Sequence, residues 1–400
     1  MRFFTFSRMS QPKSNATSQA IAGRRSHKGA TRSQRCRGAF TEPLETRTLM
    51  SSYSFSTLVP FESASMYNSN VIDIGGNLYG ERSSGGSAGD GTLYEYSTST
   101  KKLTTLATFH GSNGSSPQAG LVYVGGNLYG ATYTGGAHND GTLFEYNFAT
   151  QRESVLVSFN AKNGTGPNSL IDMGGTLYGT TYAGGSANDG TIFSYKPNAS
   201  AVTTLATLHG SNGANPYAFS LTDYSGNLYG TTYGGGSASD GTLFEYNFRT
   251  KLESVIATFH GSNGAHPTSA PVVVDGNLFG TTDSGGSADD GTIYEYNFST
   301  RLENVIATFH GSNGTLPNGL TNVGGNLFGT TEIGGSDNDG TVFEYNFGTK
   351  LESVVTNFDG TNGSYSTYGL TDSGGDLFGT TNAGGSAGDG TLFELTPSAS

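Results

Sequence analysis

Residue types that carry redox chemistry or membrane insertion are scarce in this chain. Only one of its 400 residues is cysteine, Cys36, which lies near the N-terminus. The rest of the chain therefore has no disulfide, no thiolate nucleophile and no thiolate metal ligand. No apolar run reaches the roughly 18 residues that a spanning helix needs, so we expect no membrane span.

Basic residues are also scarce after residue 50. Residues 1–50 hold ten of the 20 Lys and Arg and two of the 32 Asp and Glu, which leaves residues 51–400 with ten basic and 30 acidic residues, a net charge of −20. Such a body repels nucleic acid, so we expect no nucleic-acid partner. Residues 1–50 are predicted to be a disordered basic leader that acts in targeting.

A unit of about 50 residues is repeated seven times and dominates the rest of the sequence. Its fullest copy spans residues 276–314, and six intervals of the repeat cover 299 residues. A period of this length is typical of propellers, solenoids and arrays. The glycine that closes its Asn-Leu-Tyr/Phe-Gly element stands at Gly80, Gly130, Gly179, Gly230, Gly280, Gly329 and Gly379.

Each unit is predicted to form four antiparallel strands, A to D. In the fifth copy they cover 269–274, 277–282, 292–298 and 302–309, and the Asp-Gly pair between A and B favours a tight hairpin. Four-stranded units arranged in a ring are propeller blades. We therefore predict an all-β, seven-bladed propeller over residues 51–400, as a monomer.

The ends of the chain are predicted to close this ring. Residues 53–61 align with strand D of the repeat, whereas the last predicted strand, 391–395, aligns with strand C. The N-terminal strand should therefore complete the seventh blade and cover sheet edges that would otherwise promote aggregation.

The repeat resembles two known families. Its order of strands and turns is similar to kelch repeats, and its motif, close to LYGTTxxGGxxxxGTxFE, resembles the GloVer (Gloeo/Verruco) tandem repeat of exported bacterial proteins. Before the first unit, Leu44, Glu45, Arg47 and Leu49 resemble the LEPR-XLL export motif, with Thr46 and Met50 departing from it. These resemblances imply an extracellular or cell-surface protein.

Functional residues are expected on the long B–C and D–A loops, which share one face of the ring. The residue after the Thr-Thr pair varies between copies, being aromatic in three consecutive blades and polar or acidic in the next three: Tyr133, Tyr182, Tyr233, Asp283, Glu332 and Asn382. Tyrosine faces beside carboxylates are suited to a glycan, and a protein ligand is also expected at such a surface. A non-enzymatic binding or structural module fits this pattern.

An enzyme is the alternative hypothesis. Asp283 and Glu332 would then be the acid and base of a carbohydrate hydrolase or lyase. The chain has no P-loop, nucleophile elbow or HExxH motif. It also has no tryptophan, whereas quinone-dependent propeller dehydrogenases resemble one another in tryptophan docking motifs. No cofactor is therefore expected to be required.

Two repeated loop residues are candidate metal ligands. An aspartate precedes Gly-Thr in every unit: Asp90, Asp140, Asp189, Asp240, Asp290, Asp339 and Asp389. These carboxylates either cap local backbone N–H groups or bind Ca²⁺ with loop carbonyls. Four units have a histidine at one D–A loop position, which is either a capped loop residue or a zinc ligand: His110, His209, His260 and His310.

Overall fold

Strands joined by glycine-rich turns make up the structure, a computed structural model that describes residues 53–62, 67–217 and 221–398. In these ranges the strands form seven antiparallel sheets, and one 3-10 turn occurs at Gly261–Asn263. The prediction of an all-β, seven-bladed propeller is confirmed. Across the same ranges, no helix has the length and apolarity to cross a bilayer. The predicted leader and its motif lie outside the described residues.

Each sheet is one blade, whose strands A to D run from the ring axis outward. Blade 1 comprises Ile72–Ile74, Asn77–Arg82, Thr92–Ser97 and Lys102–Thr108. Blade 3 comprises Thr165–Met173, Thr176–Ala183, Thr191–Tyr195 and Thr203–Thr207. Blade 4 comprises Leu221–Tyr224, Asn227–Thr232, Thr242–Asn247 and Leu252–Thr258. Blades 6 and 7 comprise Thr315–Val323, Asn326–Ile333, Thr341–Asn346 and Leu351–Asn357; and Thr371–Ser373, Asp376–Thr381, Thr391–Pro397 and Tyr53–Pro60.

Blades 2 and 5 differ from the four-stranded prediction because their strand A is divided into two segments. They comprise Ser115–Pro117, Val122–Val124, Asn127–Thr134, Thr142–Asn147 and Arg152–Ser158; and Ala265–Pro267, Val272–Val274, Asn277–Ser284, Thr292–Asn297 and Leu302–Thr308. In blade 5 the predicted strand A, 269–274, is therefore shorter than expected, and an additional segment lies before it. The residues between the two segments do not pair with strand B, and the repeat pattern did not predict this interruption.

The repeated glycine of strand B is required by packing. In blade 2, Gly130 lies opposite Phe144 of strand C, and a Cβ on this glycine would collide with the phenyl ring. Gly280 stands in the same relation to Tyr294 in blade 5. The aromatic ring from strand C lies directly over the glycine of strand B, and only glycine leaves room for the ring.

Tight turns join strands A and B. In blade 5 the turn residues Asp275 and Gly276 have φ angles of 47° and 80°. Positive φ at both positions is the type I′ geometry, whose twist matches that of an antiparallel hairpin. The predicted hairpin is present, with Val274 paired to Asn277 on either side of the turn.

The hydrophobic core consists of seven clusters, one at each seam between neighbouring blades. At the seam of blades 1 and 2, Leu93 and Phe109 meet Leu128 and Phe144, and the two phenyl centroids lie 5.0 Å apart. Burying one such side chain stabilises a fold by about 1.5–3 kcal/mol. Because both faces of every sheet are covered by neighbouring blades, the ring must close for all seven cores to form.

The N-terminal strand closes the ring as predicted. Tyr53–Pro60 pairs antiparallel with Thr391–Pro397, so blade 7 contains both ends of the described chain. Its Phe55 ring stacks on Phe393 at a centroid distance of 5.3 Å. Blade 7 is also tied to blade 1, because the Asn68 side-chain amide donates to the Thr381 carbonyl at 2.8 Å.

Candidate functional site

The six variable residues at the end of strand B are all partly buried. Strand B of each blade lies next to the A strands around the ring axis. Its C-terminal end is on the face that carries the B–C and D–A loops. The seventh copy, Ser83 of blade 1, is buried. The ends of the B strands of neighbouring blades therefore lie side by side around the axis.

The tyrosine arc is contiguous. The rings of Tyr133 and Tyr182 lie 6.1 Å apart between centroids and are inclined by 59°. Burial, and then the nearby phenols of Tyr182 and Tyr67, raise the pKa of Tyr133 to about 12. Tyr233 continues the arc, since burial and then the charges of Asp283 and Tyr182 raise its pKa.

Tyr217, which the repeat pattern did not single out, connects the two arcs. It lies in the segment before strand A of blade 4, with its ring 5.7 Å from that of Tyr233, and it is 38% exposed. Burial raises the pKa of Tyr217, followed by interactions with Tyr67, Glu332, Tyr233 and Asp283. Because Tyr67 belongs to blade 1, three blades away, both side chains must extend toward the axis.

The acidic arc is the pair of carboxyls of Asp283 and Glu332, and no Lys or Arg side chain of the described chain acts on the pKa of either. Burial raises the pKa of Asp283, against the opposing effect of His266, and burial and then the charge of Asp283 raise the pKa of Glu332. Neither carboxyl accepts a hydrogen bond within the described part of the chain. His266 is oriented by Tyr233: the rings stack at 4.5 Å, and its Nδ1 donates to the Tyr233 carbonyl at 2.9 Å.

We call these residues the tyrosine–acid rim, defined as Tyr67, Tyr133, Tyr182, Tyr217, Tyr233, His266, Asp283 and Glu332. The sequence predicted five of them from the variation at one repeat position. It missed Tyr67, Tyr217 and His266 because they lie in the irregular segments leading to strand A. The rim has aromatic faces and unpaired carboxyls, which can stack on and hydrogen-bond to a polar ligand.

Asn382, the sixth predicted residue, has a different environment. Its Oδ1 accepts the backbone N–H of Asn68 at 2.9 Å, and its Nδ2 donates to Thr367 Oγ1 at 2.7 Å. The first of these bonds holds blade 7 against blade 1, and the second stays within blade 7. Its predicted part in ligand binding stays a prediction, with a structural contribution beside it.

The repeated aspartates contact backbone groups of the loops. Asp90 Oδ2 accepts the Gly111 N–H at 2.9 Å, and its Oδ1 accepts the Ser115 hydroxyl at 2.9 Å. Its carbonyl accepts the N–H of Ser116 in the next blade at 2.8 Å. The carbonyl bond recurs at Asp140, Asp189, Asp240, Asp290 and Asp339, which accept from Gly166, Asn215, His266, Leu316 and Tyr365. This aspartate therefore helps to fix one blade to the next.

Metal binding stays a prediction for these aspartates, including Asp389, which also has an interaction partner in the structure. Within the described residues, no three His, Cys, Asp or Glu side chains are grouped closely enough to hold a metal ion. The four D–A loop histidines stand in separate loops. In blade 1, His110 Nδ1 lies 3.1 Å from Ser112 Oγ and its N–H donates to Asn113 Oδ1 at 2.7 Å.

Blade 1 replaces the Thr-Thr pair of strand B by two buried charged residues. Glu81 is fully buried; its Oε2 accepts the Gly120 N–H at 3.1 Å, while Oε1 has no hydrogen-bond partner among the described residues. Burial raises the pKa of Glu81 to about 8. Arg82 lies 4.5 Å above the ring of Phe61 and donates from Nε to Asn68 Oδ1 at 3.3 Å.

Solved structures of low sequence identity are similar to this chain. The extracellular domain of a protein described as a one-component system of B. thetaiotaomicron aligns with a TM-score of 0.59 and 14% identity, over 85% of this chain and 40% of that chain. A puromycin-hydrolysing peptidase of Mycobacterium tuberculosis gives 0.55 and 11%, over 79% and 50%. The computationally designed Ika8 protein gives 0.51 and 14%, over 84% and 98%. At such identities the likeness is one of fold alone.

The sequence profile of one family matches most of the chain. No curated protein matches the sequence of this chain at a significant level. The profile of the Gloeobacter/Verrucomicrobia repeat, however, matches residues 66–274 and, in a second stretch, residues 241–400. The two stretches include strands A to C of all seven blades, and with them the variable residues of the rim. The chain therefore belongs to the Gloeobacter/Verrucomicrobia repeat family.

Proposed function

We propose that the protein is an exported, non-enzymatic binding module whose tyrosine–acid rim takes a carbohydrate. The observation that carries this proposal is the approach of Tyr217 to both arcs, since it interacts with Tyr233 and with the carboxyls of Asp283 and Glu332. A site that joins aromatic faces to unpaired carboxyls offers stacking for sugar C–H faces and acceptors for hydroxyl groups.

The charges around the rim favour a ligand that carries an amino group. Within the described chain, only His266 opposes the burial that raises the pKa of Asp283, and no Lys or Arg side chain acts on the pKa of Glu332. A protonated amine would supply the missing counter-charge, and the tyrosine faces also attract cations. An amino sugar combines both features.

A glycan array gives the test. Wild-type protein is applied to arrays that contain deacetylated and N-acetylated forms of the same glucosamine oligomers, together with neutral glycans. We expect retention on sugars, with the free-amine form stronger than its acetylated counterpart. Equal retention on the free-amine and the acetylated forms would overturn the charge preference, but not the proposed ligand class. No retention on any carbohydrate would overturn the proposed ligand class.

A matched pair of tyrosine variants separates the rim from the rest of the surface. Tyr182→Ala should lose the retained glycans. Tyr123→Ala removes a tyrosine that is 47% exposed in strand A of blade 2, next to the A–B turn. That variant should keep the wild-type array pattern. Equal loss in both variants would contradict binding at the rim.

The enzyme alternative is supported by one feature of the acidic arc. Burial and then the charge of Asp283 raise the pKa of Glu332, which favours the protonated form that a general acid needs. The test is product analysis, by mass, of any retained oligosaccharide after prolonged incubation. Cleavage that is lost in Glu332→Gln would replace the binding module by a hydrolase or lyase.

Export is proposed on the resemblance of Leu44, Glu45, Arg47 and Leu49 to the LEPR-XLL motif, and on the resemblance of the repeat to the GloVer repeat of exported bacterial proteins. A structurally similar chain is itself described as an extracellular domain. Protease added to intact producing cells should digest the wild-type protein at the surface or in the medium. A protein digested only after lysis would contradict an extracellular or cell-surface location.

A further inference from the structure

A histidine and a glutamate from neighbouring blades are held by one asparagine at four of the seven seams. In the first of these, Asn113 Oδ1 accepts the backbone N–H of His110, and its Nδ2 donates to Glu153 Oε2 at 2.8 Å. The backbone bond is also present at Asn160 and Asp359, whereas the bond to a glutamate is specific to the four seams with histidine. The glutamate belongs to strand D of the next blade. The four pairs are His110 with Glu153, His209 with Glu253, His260 with Glu303 and His310 with Glu352.

The second oxygen of each glutamate is buried and lacks a protein partner. Oε1 of Glu153, Glu253, Glu303 and Glu352 has no hydrogen-bond partner among the described residues. A buried carboxylate oxygen without a donor is destabilising unless the group takes up a proton or faces a positive charge. The same unpartnered oxygen occurs at four seams, which indicates that it is a common property of these seams.

Across the seven seams, the histidine and the glutamate are either both present or both absent. A buried apolar residue directly follows strand D of each blade, and the glutamate lies six residues before it. The histidine directly follows the equivalent apolar residue of the preceding blade. Where the histidine is replaced, the glutamate is replaced as well, by an apolar residue. The three such pairs are Asn160 with Val202, Asp359 with Phe55 and Glu62 with Leu103.

The seven seams allow this rule to be compared within a single chain. A glutamate serving only its own strand would occur without regard to the loop of the preceding blade. Its occurrence in the four seams that have histidine, and in none of the three that lack it, associates the carboxyl with the histidine of the preceding blade. We propose that the four His–Glu seams are proton-binding sites that tighten their blades as the medium becomes mildly acid, while the three apolar seams do not respond.

The electrostatics support the direction of this response. Burial raises the pKa of all four glutamates, while the asparagine bond and the histidine charge oppose the rise. Beside the histidine, Glu303 also interacts with the buried phenol of Tyr294. Because the folded-state pKa exceeds the unfolded value, the stabilisation is complete below the unfolded value and is lost as pH rises through the folded one.

Hydrogen exchange read by mass spectrometry tests the proposal inside one molecule. The D–A loop amides that begin at His110, His209, His260 and His310 are compared with those at Asn160 and Asp359, between pH 5 and pH 8.5. Each rate is divided by that of an unstructured peptide at the same pH. We expect the four histidine loops to gain protection in acid and the other two to stay constant. A uniform response, or none, would overturn the proposal.

Two sets of substitutions make the outcome specific. Glu303→Gln should abolish the pH response of the His260 loop and leave that of the His110 loop unchanged. The reverse change, Asn160→His with Val202→Glu, should create a response at the seam of blades 2 and 3. Each unit of pKa shift corresponds to a roughly tenfold change in protection. If the double variant folds but the protection of its loop at residue 160 does not change with pH, the His–Glu pair is not the proton-binding element.

Discussion

Single residues decide how tightly the blades close, and Glu81 gives the sharpest test. Its pKa is about 8 because it is fully buried. The unfolded value lies near 4.3. Since the folded pKa is the higher one, the carboxyl contributes stability that is complete below the unfolded value and is lost as pH rises through about 8. Glu81→Gln removes this titration.

We therefore expect the melting temperature of Glu81→Gln, relative to wild type, to rise between pH 4.5 and about pH 8 and to level off by pH 9. Other carboxyls titrate in both proteins and cancel in the difference. Thermal unfolding of the two proteins across this range is the measurement, and the exposed Glu62→Gln serves as the control. A difference that is constant with pH would contradict the assignment.

The glycine of strand B provides a second prediction at this scale. Gly130→Ala forces a Cβ into the ring of Phe144 and should destabilise the protein by about 1–3 kcal/mol. Gly111→Ala is the matched control, because a Cβ at Gly111 meets no atom within 4 Å. Denaturant unfolding measures both. Equal midpoints for the two variants would show that the aromatic does not require the glycine.

The sequence could predict residues that repeat, but not residues that meet in three dimensions. Seven copies of one glycine or aspartate are visible as a period, and their packing explains the repetition. The approach of Tyr217 to Asp283 and Glu332 depends on irregular segments before strand A, which the period does not contain. Glu81 was missed for a related reason: only its burial makes this departure from Thr-Thr informative.

At the scale of elements, the strand that closes the ring is the most consequential. Tyr53–Pro60 supplies strand D of blade 7, and its Phe55 packs on Phe393 and Phe358. Deleting residues 51–62 should expose the edge of Thr391–Pro397 and leave the last core incomplete. Size-exclusion chromatography and thermal unfolding should show an unfolded or oligomeric protein.

Deletion of residues 1–50 is the control for this experiment, and it should leave the melting temperature unchanged. The wild-type protein is expected to elute as a monomer. If the protein without residues 51–62 is also a monomer and melts normally, the closing strand is dispensable and the account of the ring is wrong. The closure was predictable because strands C and D have distinct patterns, whereas the divided strand A of blades 2 and 5 was not.

At the scale of the whole molecule, the repeats build a ring and the differences between them supply its candidate function. The two arcs of the rim come from five consecutive blades, yet the phenol of Tyr217 interacts with both. Variation along the sequence predicted that the arcs exist. It could not show that they face one another, because that depends on the curvature of the closed ring.

Calorimetric titration of one array-selected glycan tests the central claim, that both arcs form a single site. The ligand is titrated into wild type, Tyr182→Ala, Glu332→Gln and the control Tyr123→Ala. We expect Tyr182→Ala and Glu332→Gln each to weaken binding by about tenfold, equivalent to 1.4 kcal/mol, and Tyr123→Ala to bind as wild type does. Unchanged affinity in either Tyr182→Ala or Glu332→Gln would contradict a site shared by the two arcs.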